Sequence, residues 1–199
     1  ARVSFSKQSS LSWPTGLEDK DVKLINYLAK HDHWSPFGHA SMQFHIKAPV
    51  FVARQLVKHQ VGLVWNEVSR RYVDEEVKFY EPEEWRGRPK NSKQGSSDEV
   101  IDINPSNSIV NNYQEALQTA RWTYEHLLSI GVAPEQARMV LPQSMYTEWY
   151  WSGTLYAFAR VCNLRCKDDA QKETQNVGWA IDKFARELFP ASWQALRDA

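Results

Sequence analysis

The feature that most constrains the fold is the run from Pro49 to Tyr72, where a helical pattern gives way to an extended one. Proline suits the first position of a helix, because its missing N–H group has no helical partner there. Apolar residues then recur with helical spacing at Val50, Phe51, Ala53 and Val57. Gly62 interrupts this pattern, and the residues around it are β-branched or aromatic, which favours extended backbone. The run therefore predicts a helix, a break and an irregular loop from Asn66 to Tyr72.

The same run is unusually rich in polar groups, with five cationic or imidazole side chains, a carboxylate, a serine and three side-chain amides. Residues three and four apart on a helix lie on one face. The spacing therefore predicts that Arg54, Gln55, Lys58 and His59 form one polar stripe against an apolar back.

A returning loop that carries Glu67, Ser69 and Arg71 opposite this stripe suits an anion that also offers planar hydrogen-bonding edges. A nucleoside monophosphate is such a ligand, because arginine binds phosphate bidentately and an amide or backbone edge reads a pyrimidine imide. The alternative is a solvated basic helix followed by a surface loop. The density of polar groups favours the ligand site.

These residues resemble the signature of the flavin-dependent thymidylate synthases, the ThyX family. That signature is an Arg-His-Arg triplet followed after seven residues by serine, within a segment N-E-x-S-x-R-Y. Here the triplet is Lys58-His59-Gln60, and the segment from Asn66 to Tyr72 matches completely. The triplet differs at two positions, and eight residues rather than seven separate Gln60 from Ser69.

Length and composition fit a single domain over residues 1–199, because 199 residues that are 42% hydrophobic suffice for one core. The 24 basic and 24 acidic residues balance, so no global field recruits nucleic acid or a membrane, and an anion site must be local. No run reaches the roughly 18 apolar residues of a membrane span, and no leader pattern is seen. We expect a cytoplasmic protein in which Cys162 and Cys166 are reduced thiols.

The periodicity predicts an α+β fold, with an antiparallel sheet packed against long helices. The predicted strands are Ser41 to Lys47, Val77 to Tyr80 and Ser144 to Trp151. The predicted helices are Glu18 to Lys30, Ser108 to Ile130, Thr154 to Leu164 and Asp169 to Leu188, the last with Val177, Ala180, Ile181 and Phe184 inward. Residues 6–18 read as a loop and residues 83–107 as a mobile polar excursion. Family members usually have a strand before the segment that Ala1 to Phe5 reproduce, so we expect the true N-terminus to be missing.

Four histidines, His31, His33, His39 and His45, invite a metal-site interpretation. No carboxylate or thiolate lies at a ligand spacing beside them, so no metal is predicted. The segment instead resembles the family's H-x-H-x-(S/T)-P-F-x-H, in which the second histidine and the hydroxyl residue face the flavin and the folate. Those positions are His33 and Ser35. A purely structural turn is the alternative.

Two further arginines lie in segments that resemble family motifs. Arg138 begins a segment like the family's R-x-x-L-P turn, whose arginine binds the nucleotide phosphate from another subunit. Arg165 ends a segment like N-L-R, whose arginine is held to favour the N3-ionised uracil. A guanidinium suits that role because it stays cationic and donates two parallel hydrogen bonds. The alternative for Arg165 is a surface arginine at a helix C-terminus, where the helix dipole favours a cation.

The resemblance implies reductive methylation of dUMP to dTMP, with methylenetetrahydrofolate as carbon donor, FAD as hydride carrier and NADPH as reductant. It also implies a homotetramer with shared active sites. The catalytic residues that it implies are Arg165 and His33. The dUMP-binding residues that it implies are Gln55, Leu56, Val57, Lys58, Glu67, Val68, Ser69, Arg70, Arg71, Arg138 and Arg165. The FAD-binding residues that it implies are Ser35, Lys58, His59, Gln60, Glu67, Thr154, Tyr156 and Arg160.

The differences between this sequence and the family signature affect the predicted flavin site more than the predicted nucleotide site. Lys58 keeps a point charge and Gln60 keeps none, which weakens bidentate contact to a flavin phosphate, although Arg160 restores one cation. Three alternative functions stay open: C5 methylation of UMP on the same fold, nucleotide binding with weakened flavin chemistry, and RNA binding. The neutral net charge argues against RNA.

Overall fold

A three-stranded antiparallel sheet organises the computed structural model, which describes residues 16–72, 76–90, 95–103 and 108–199. Its strands are β1 (Ser41–Pro49), β2 (Leu63–Glu67) and β3 (Tyr146–Thr154), in the spatial order β1-β3-β2. β3 is last in the sequence but lies in the middle, where it pairs with both edge strands. The predicted antiparallel sheet is confirmed.

The predicted strand from Val77 to Tyr80 is reduced to a single bridge between Phe79 and Met145. Two backbone hydrogen bonds flank this bridge, one from the Tyr146 N–H to the Lys78 carbonyl and one from the Tyr80 N–H to the Ser144 carbonyl, each 2.8 Å long. The prediction of a strand is therefore wrong. The segment makes only an isolated bridge, although it does lie beside the chain that leads into β3.

In the described residues the α-helices are α1 (Asp19–Lys30), α2 (Val50–Leu56), α3 (Ser108–Ser129), α4 (Pro134–Ala137), α5 (Leu155–Arg165), α6 (Lys172–Leu188) and α7 (Pro190–Asp198). The predicted helices are confirmed to within three residues at their ends, whereas α4 and α7 were not predicted. Pro190 ends α6 as expected, but it also begins α7, a position that proline favours. Within the described part of the chain, none of the helices combines the length and the apolarity that crossing a bilayer requires.

The inward face of α6 differs from the prediction. Of the four residues expected to be buried there, Ile181 is buried and Val177 partly so, whereas Ala180 and Phe184 are exposed. The buried face is Thr174, Gln175, Gly178, Ile181, Asp182 and Ala185. The apolar pattern misplaced this face because it cannot anticipate polar side chains that find hydrogen-bond partners inside the protein.

Large aromatic side chains fill the space between the sheet and the helices. Trp149 and Trp151 on β3 are both fully buried, as is Phe158 on α5. The Trp65 ring on β2 stacks on Trp149 with centroids 4.4 Å apart and meets Trp151 edge-on at 5.5 Å. Aromatic rings bury roughly 150–250 Å² each, so this cluster fixes β2 against the core although β2 is only five residues long.

The described parts of the polar excursion, residues 83–90 and 95–103, pair with each other. Arg86 and Val100 form an antiparallel bridge, and the Gly87 N–H donates to the Glu99 carbonyl at 2.8 Å. The Arg86 guanidinium also binds the carboxylate of Glu173 on α6. The excursion is therefore tied to the helical layer.

Apart from residues 16–18, the N-terminal loop predicted at residues 6–18 lies outside the described residues, as does the segment from Ala1 to Phe5.

Gly153 marks the closest approach between β3 and the entry to β2. A Cβ atom added there would lie 2.4 Å from Leu63 Cδ2 and 2.7 Å from the Gly62 carbonyl oxygen, and a backbone oxygen cannot move cheaply. We predict that Gly153→Ala lowers the free energy of unfolding by about 1–3 kcal/mol, as expected for overpacking.

Thermal unfolding at fixed protein concentration measures this effect. Gly16→Ala is the matched control, because nothing lies within 4 Å of a Cβ atom at that position. If both variants melt at the wild-type temperature, the close contact at Gly153 does not constrain the sheet.

Candidate active site

Two clefts flank the chain between α2 and the loop after β2. The first has a volume of about 790 Å³ and the second about 310 Å³. Among the lining residues of the first are Arg54, Glu67, Val68, Arg70, Arg138 and Glu148. Among those of the second are Lys58, His59, Gln60, Arg160, Asn163 and Leu164. The two clefts share no lining residue. Of the predicted site residues, Glu67, Val68, Arg70 and Arg138 line the first cleft and Lys58, His59, Gln60 and Arg160 line the second, whereas the others, all within the described residues, line neither.

The prediction of one polar stripe along α2 is wrong. The helix ends at Leu56, so Lys58 and His59 lie past its last turn and face the second cleft, whereas Arg54 faces the first. Gln55 faces neither cleft. Its Nε2 donates to Gln171 Oε1 at the start of α6. The stripe assumed a helix that continues to His59, which the chain does not form.

The first cleft carries two guanidinium groups without a carboxylate partner among the described residues. Arg54 reaches it from α2, and Arg138 from the 3₁₀ turn Arg138–Val140. The Glu148 carboxylate at the same cleft pairs instead with Lys47 at 2.9 Å and contacts His45 at 3.0 Å, and the hydrogen bond from Lys47 is the main cause that holds its pKa below the usual range. Glu67, Glu76 and Glu135 also line the cleft, so an anion is favoured at the two unpaired arginines rather than across the whole cleft.

The prediction of an irregular loop from Asn66 is wrong at its start, because Asn66 and Glu67 belong to β2. Hydrogen bonds fix the end of β2 and the first residue of the loop that follows it. Thr147 Oγ1 donates to Glu67 Oε1 at 2.7 Å, and Trp65 Nε1 donates to Glu67 Oε2 at 3.2 Å. The Val68 N–H donates to the Glu148 carbonyl at 2.9 Å. These contacts hold the Glu67 carboxylate at the rim of the first cleft.

Ser69 lines neither cleft, and its hydroxyl contacts Arg71 within the loop. Its hydroxyl oxygen accepts from the Arg71 N–H and Nε, both at 3.3 Å. In the described residues neither a histidine nor a carboxylate contacts this hydroxyl, and a serine without a base is a weak nucleophile. The Arg71 guanidinium also lies 5.1 Å from the Tyr72 ring centre, so loop contacts orient it.

Of three other residues predicted to contact the nucleotide, two do not line the first cleft and one does. Leu56 is fully buried, and Val57 lies just past the end of α2 and is half-buried. Any contact from Leu56 to a ligand must come from its backbone. Arg70 lines the first cleft, and its Nη2 lies 3.5 Å from the Glu76 carbonyl, a long hydrogen bond.

His59, which lines the second cleft, contacts the side chain of Arg165. Arg165 Nε, at the end of α5, donates to His59 Nε2 at 2.9 Å. Burial, and then the charges of Arg165 and Arg160, lower the pKa of His59. The imidazole is therefore neutral at pH 7 and accepts the hydrogen bond, which fixes the direction of the Arg165 guanidinium.

The remaining lining of the second cleft has the donor groups that a diphosphate needs. Lys58 supplies an exposed ammonium, Gln60 an exposed amide and Arg160 an exposed guanidinium from α5. Arg160 thus lies beside the variant triplet, where the sequence comparison expected a compensating cation. This donor set fits the phosphate part of a dinucleotide cofactor.

The predicted flavin residues nearer the N-terminus do not line either cleft. His33 and Ser35 are both exposed and lie between α1 and β1, with Ser35 opening the 3₁₀ turn Ser35–Gly38. Tyr156 links this segment to α5, because its hydroxyl donates to Asp32 Oδ1 at 2.8 Å, a contact that raises the tyrosine pKa. Thr154 caps α5 by accepting from the Ala157 N–H at 3.1 Å.

Arg54 is a candidate ligand-binding residue of the first cleft that the resemblance to the family did not indicate. The spacing argument placed it on the polar stripe, but no resemblance assigned it to a ligand. The signal that identifies it is its position on the first cleft together with its lack of a carboxylate partner in the described chain.

Two clefts lined by arginine and lysine side chains beside an antiparallel sheet suit an anionic ligand such as a nucleotide phosphate. The sequence model of the family described as thymidylate synthase complementing protein matches residues 1–191, and this chain belongs to that family.

Curated relatives agree with this assignment. A flavin-dependent thymidylate synthase of Kosmotoga olearia is 40% identical over 196 residues, which are 98% of this chain and 81% of the relative. A flavin-dependent thymidylate synthase of Thermus thermophilus is 40% identical over 198 residues, which are 100% of this chain and 69% of the relative.

A solved neighbour has the same fold. The crystal structure of the UMP/dUMP methylase PolB from Streptomyces cacaoi with 5-bromo-dUMP superposes with a TM-score of 0.77 at 29% identity, covering 92% of this chain and 82% of that one. The structure of the same methylase with 5-bromo-UMP superposes with a TM-score of 0.80 at 28% identity, covering 92% and 84%.

The contact between Arg165 and His59 predicts a pH dependence of stability. Because the folded-state pKa of His59 lies below its ordinary value of 6.5, the unfolded chain takes up a proton first as the pH falls. The unfolding free energy should therefore decrease below about pH 6.5, down to the folded-state pKa. His59→Gln removes this titration, and its amide oxygen keeps a hydrogen-bond acceptor for Arg165.

Denaturant unfolding of both proteins at pH 7.5 and pH 5.5, two values about one unit either side of the ordinary histidine pKa, measures the effect. We expect the wild type to lose stability relative to His59→Gln at the lower pH. The other histidines are common to both proteins and cancel in the comparison. An equal difference at the two pH values would contradict a neutral His59.

Proposed function

We propose that this protein catalyses the reductive methylation of dUMP to dTMP as a flavin-dependent thymidylate synthase. The observation that carries the proposal is the family match, which covers residues 1–191 and so includes the residues of both clefts. The named activity of the curated relatives and the pyrimidine nucleotides bound by the solved neighbour support the same reaction.

We assign the first cleft to the nucleotide phosphate and sugar. Arg138 and the unpaired Arg54 line this cleft and would bind the phosphate. Arg71, which does not line the cleft, is the further phosphate ligand that the family resemblance implies. Glu67 at the end of β2 and Ser69 in the loop after it would hydrogen-bond the sugar side. The predicted contacts from Gln55, Leu56, Val57, Val68 and Arg70 then come mainly from backbone atoms and from the cleft rim.

We assign the uracil ring to Arg165. Its Nε is used by His59, and in the described chain its two terminal nitrogens have no protein partner. A guanidinium fixed at one nitrogen presents the other two as parallel donors to the edge of the ring. Such donors stabilise negative charge that develops on the uracil, which is the contribution we propose for Arg165.

We assign FAD to the second cleft and to the segment before β1. Lys58, His59, Gln60 and Arg160 would hold the cofactor phosphates, while Glu67, Thr154 and Tyr156 are the further contacts that the family resemblance implies. His33 and Ser35 would face the flavin and the folate. When bound, FAD supplies hydride transfer, with methylenetetrahydrofolate as the carbon donor and NADPH as the reductant.

We propose a cytoplasmic homotetramer with active sites shared between subunits. Reaction requires the nucleotide and the cofactor to meet within a few ångströms, whereas in one chain their clefts have no lining residue in common. Beside Arg138 the side chains of Met139 and Val140 are 76% and 38% exposed, and Val61 and Val64 beside the triplet are 75% and 69% exposed. Apolar surface next to both clefts fits contact with another copy.

UMP is the second candidate substrate, because the solved neighbour is a methylase of both nucleotides and was crystallised with an analogue of each. Turnover with dUMP and UMP in competition decides between them. A purified protein that carries no flavin absorbance and binds no added FAD would leave the third candidate, a nucleotide-binding homologue with weakened flavin chemistry.

We predict that Arg165→Ala lowers kcat by roughly 10²- to 10³-fold, since losing one preorganised donor to a developing anion costs about 2.7–4 kcal/mol. FAD content and subunit assembly should stay at wild-type levels, which separates a chemical defect from misfolding. Steady-state turnover of dUMP with reconstituted enzyme provides the measurement. Turnover within threefold of the wild type would end the assignment of Arg165 to the uracil.

The variant triplet predicts weakened flavin binding that a single change can reverse. Gln60 lines the same cleft as Lys58 and Arg160, so Gln60→Arg places a guanidinium beside the cofactor phosphates. We expect tighter FAD binding by about 1–3 kcal/mol, or roughly 5- to 150-fold in Kd, from a charge-assisted hydrogen bond.

Calorimetric titration of the apoprotein with FAD measures this change. Gln60→Lys is the matched control, because it adds the charge without the bidentate geometry and should tighten binding less. An unchanged or weaker Kd for Gln60→Arg would show that the longer loop, rather than the missing charge, determines how the flavin is held.

A further inference from the structure

The last turn of α5 is tied to the C-terminal helix through Asn163, two residues before Arg165. Asn163 Oδ1 accepts a hydrogen bond from Arg197 Nη1, and its Nδ2 donates to the Leu196 carbonyl at 3.4 Å. Both partners belong to α7. The asparagine that begins the N-L-R segment is therefore fixed by a helix that lies at the far end of the chain.

Arg197 is itself held in place by a buried carboxylate on α6. Its Nε donates to Asp182 Oδ1 at 2.8 Å, and the same oxygen accepts from Trp193 Nε1 at 3.0 Å. Arg186 Nη2 donates to Asp182 Oδ2 at 3.2 Å. Asp182 is only 4% exposed, and a buried charge with this many donors imposes a defined geometry on them.

α6 also approaches the backbone of Arg165 closely. A Cβ atom on Gly178 would lie 3.1 Å from Cys166 Sγ and 3.4 Å from Arg165 Cβ. The Arg165 backbone is thus enclosed by α6, while its side chain extends to His59 at the second cleft. Small shifts of the α5 turn are therefore transmitted directly to the guanidinium.

We propose that Asp182 and Arg197 are positioning residues for Arg165. They hold Asn163, and with it the last turn of α5, so that the Arg165 guanidinium lies against His59 and faces the substrate. This inference rests on the proposed function, in which Arg165 polarises the uracil. Arg197 lies beyond residue 191, where the match to the family model ends.

The central experiment compares two arginines that bind the same carboxylate. Arg197→Ala removes the link to both Asp182 and Asn163, whereas Arg186→Ala removes only a contact to Asp182 and one to Gln194. We expect Arg197→Ala to lower kcat for dUMP at least tenfold, with KM within threefold and FAD content unchanged. Arg186→Ala should keep kcat within twofold of the wild type.

A second variant keeps the test decisive if Arg197→Ala does not fold. Asn163→Ala removes the exposed end of the link and leaves the pair of Asp182 and Arg197 intact. It should show the same loss of kcat with FAD content unchanged, which separates this effect from loss of a cofactor contact, since Asn163 also lines the second cleft. Where Arg197→Ala does fold, the losses in the double variant with Asn163→Ala and Arg197→Ala should not add, because both changes break one connection.

A readout other than turnover is the titration of His59 followed by NMR. The nearby Arg165 charge is one cause of its lowered pKa, so displacement of the guanidinium in Arg197→Ala should raise that pKa toward 6.5. In Arg186→Ala the titration should match the wild type.

Several outcomes would overturn the inference. They are a kcat within twofold of wild type for Arg197→Ala, an equal defect in Arg186→Ala, additive losses in the double variant, or an unmoved His59 titration. Arg165→Ala separates this failure from a failure of the proposed function. If Arg165→Ala keeps its turnover, the catalytic assignment falls; if only the Arg197 and Asn163 variants keep theirs, the positioning inference alone falls.

Discussion

The pairing of β3 with both β1 and β2 is the interaction on which the rest of the structure depends. β1 leads directly into α2, β2 carries Glu67 and leads into the loop with Ser69 and Arg71, and β3 leads into α5. Three of the candidate site segments therefore leave strands of the same sheet. The Trp side chains of β3 anchor this arrangement, because their burial fixes the strand against the helical layer.

The arginines discussed above fall into two sets, those that pair with a carboxylate and those that have no such partner in the described chain. Arg86 and Arg197 are bound to carboxylates of α6 and stabilise contacts between helices and loops. Arg54 and Arg138 have no such partner in the described chain and face a cleft. Arg165 is intermediate, since a neutral imidazole orients it without cancelling its charge. With a net charge of zero, the protein has no global field that attracts anions, so any attraction for an anion must come from local groups such as these arginines.

The variant triplet shows how a change in sequence is absorbed by local structure. α2 stops at Leu56, and Gly62 adopts a left-handed φ of 76° beside Ala157 and Thr154. Only a residue without a Cβ atom adopts this conformation readily, so Gly62 allows the chain to turn sharply before β2. Gln60 lines the second cleft together with Arg160.

The sequence by itself determined the local elements and the family. Alternation in Ser41 to Lys47, the helical spacing of α3 and the complete N-E-x-S-x-R-Y segment are properties of neighbouring residues, and periodicity or motif matching detects them. Only the tertiary structure decided which side chains meet. The separation of Arg54 from His59, the burial of Asp182 on α6 and the contact of Arg197 with Asn163 join residues through space. Their hydrogen-bond partners lie up to 34 positions apart in the network around Asp182 and 106 apart for Arg165 and His59, so no local pattern encodes them.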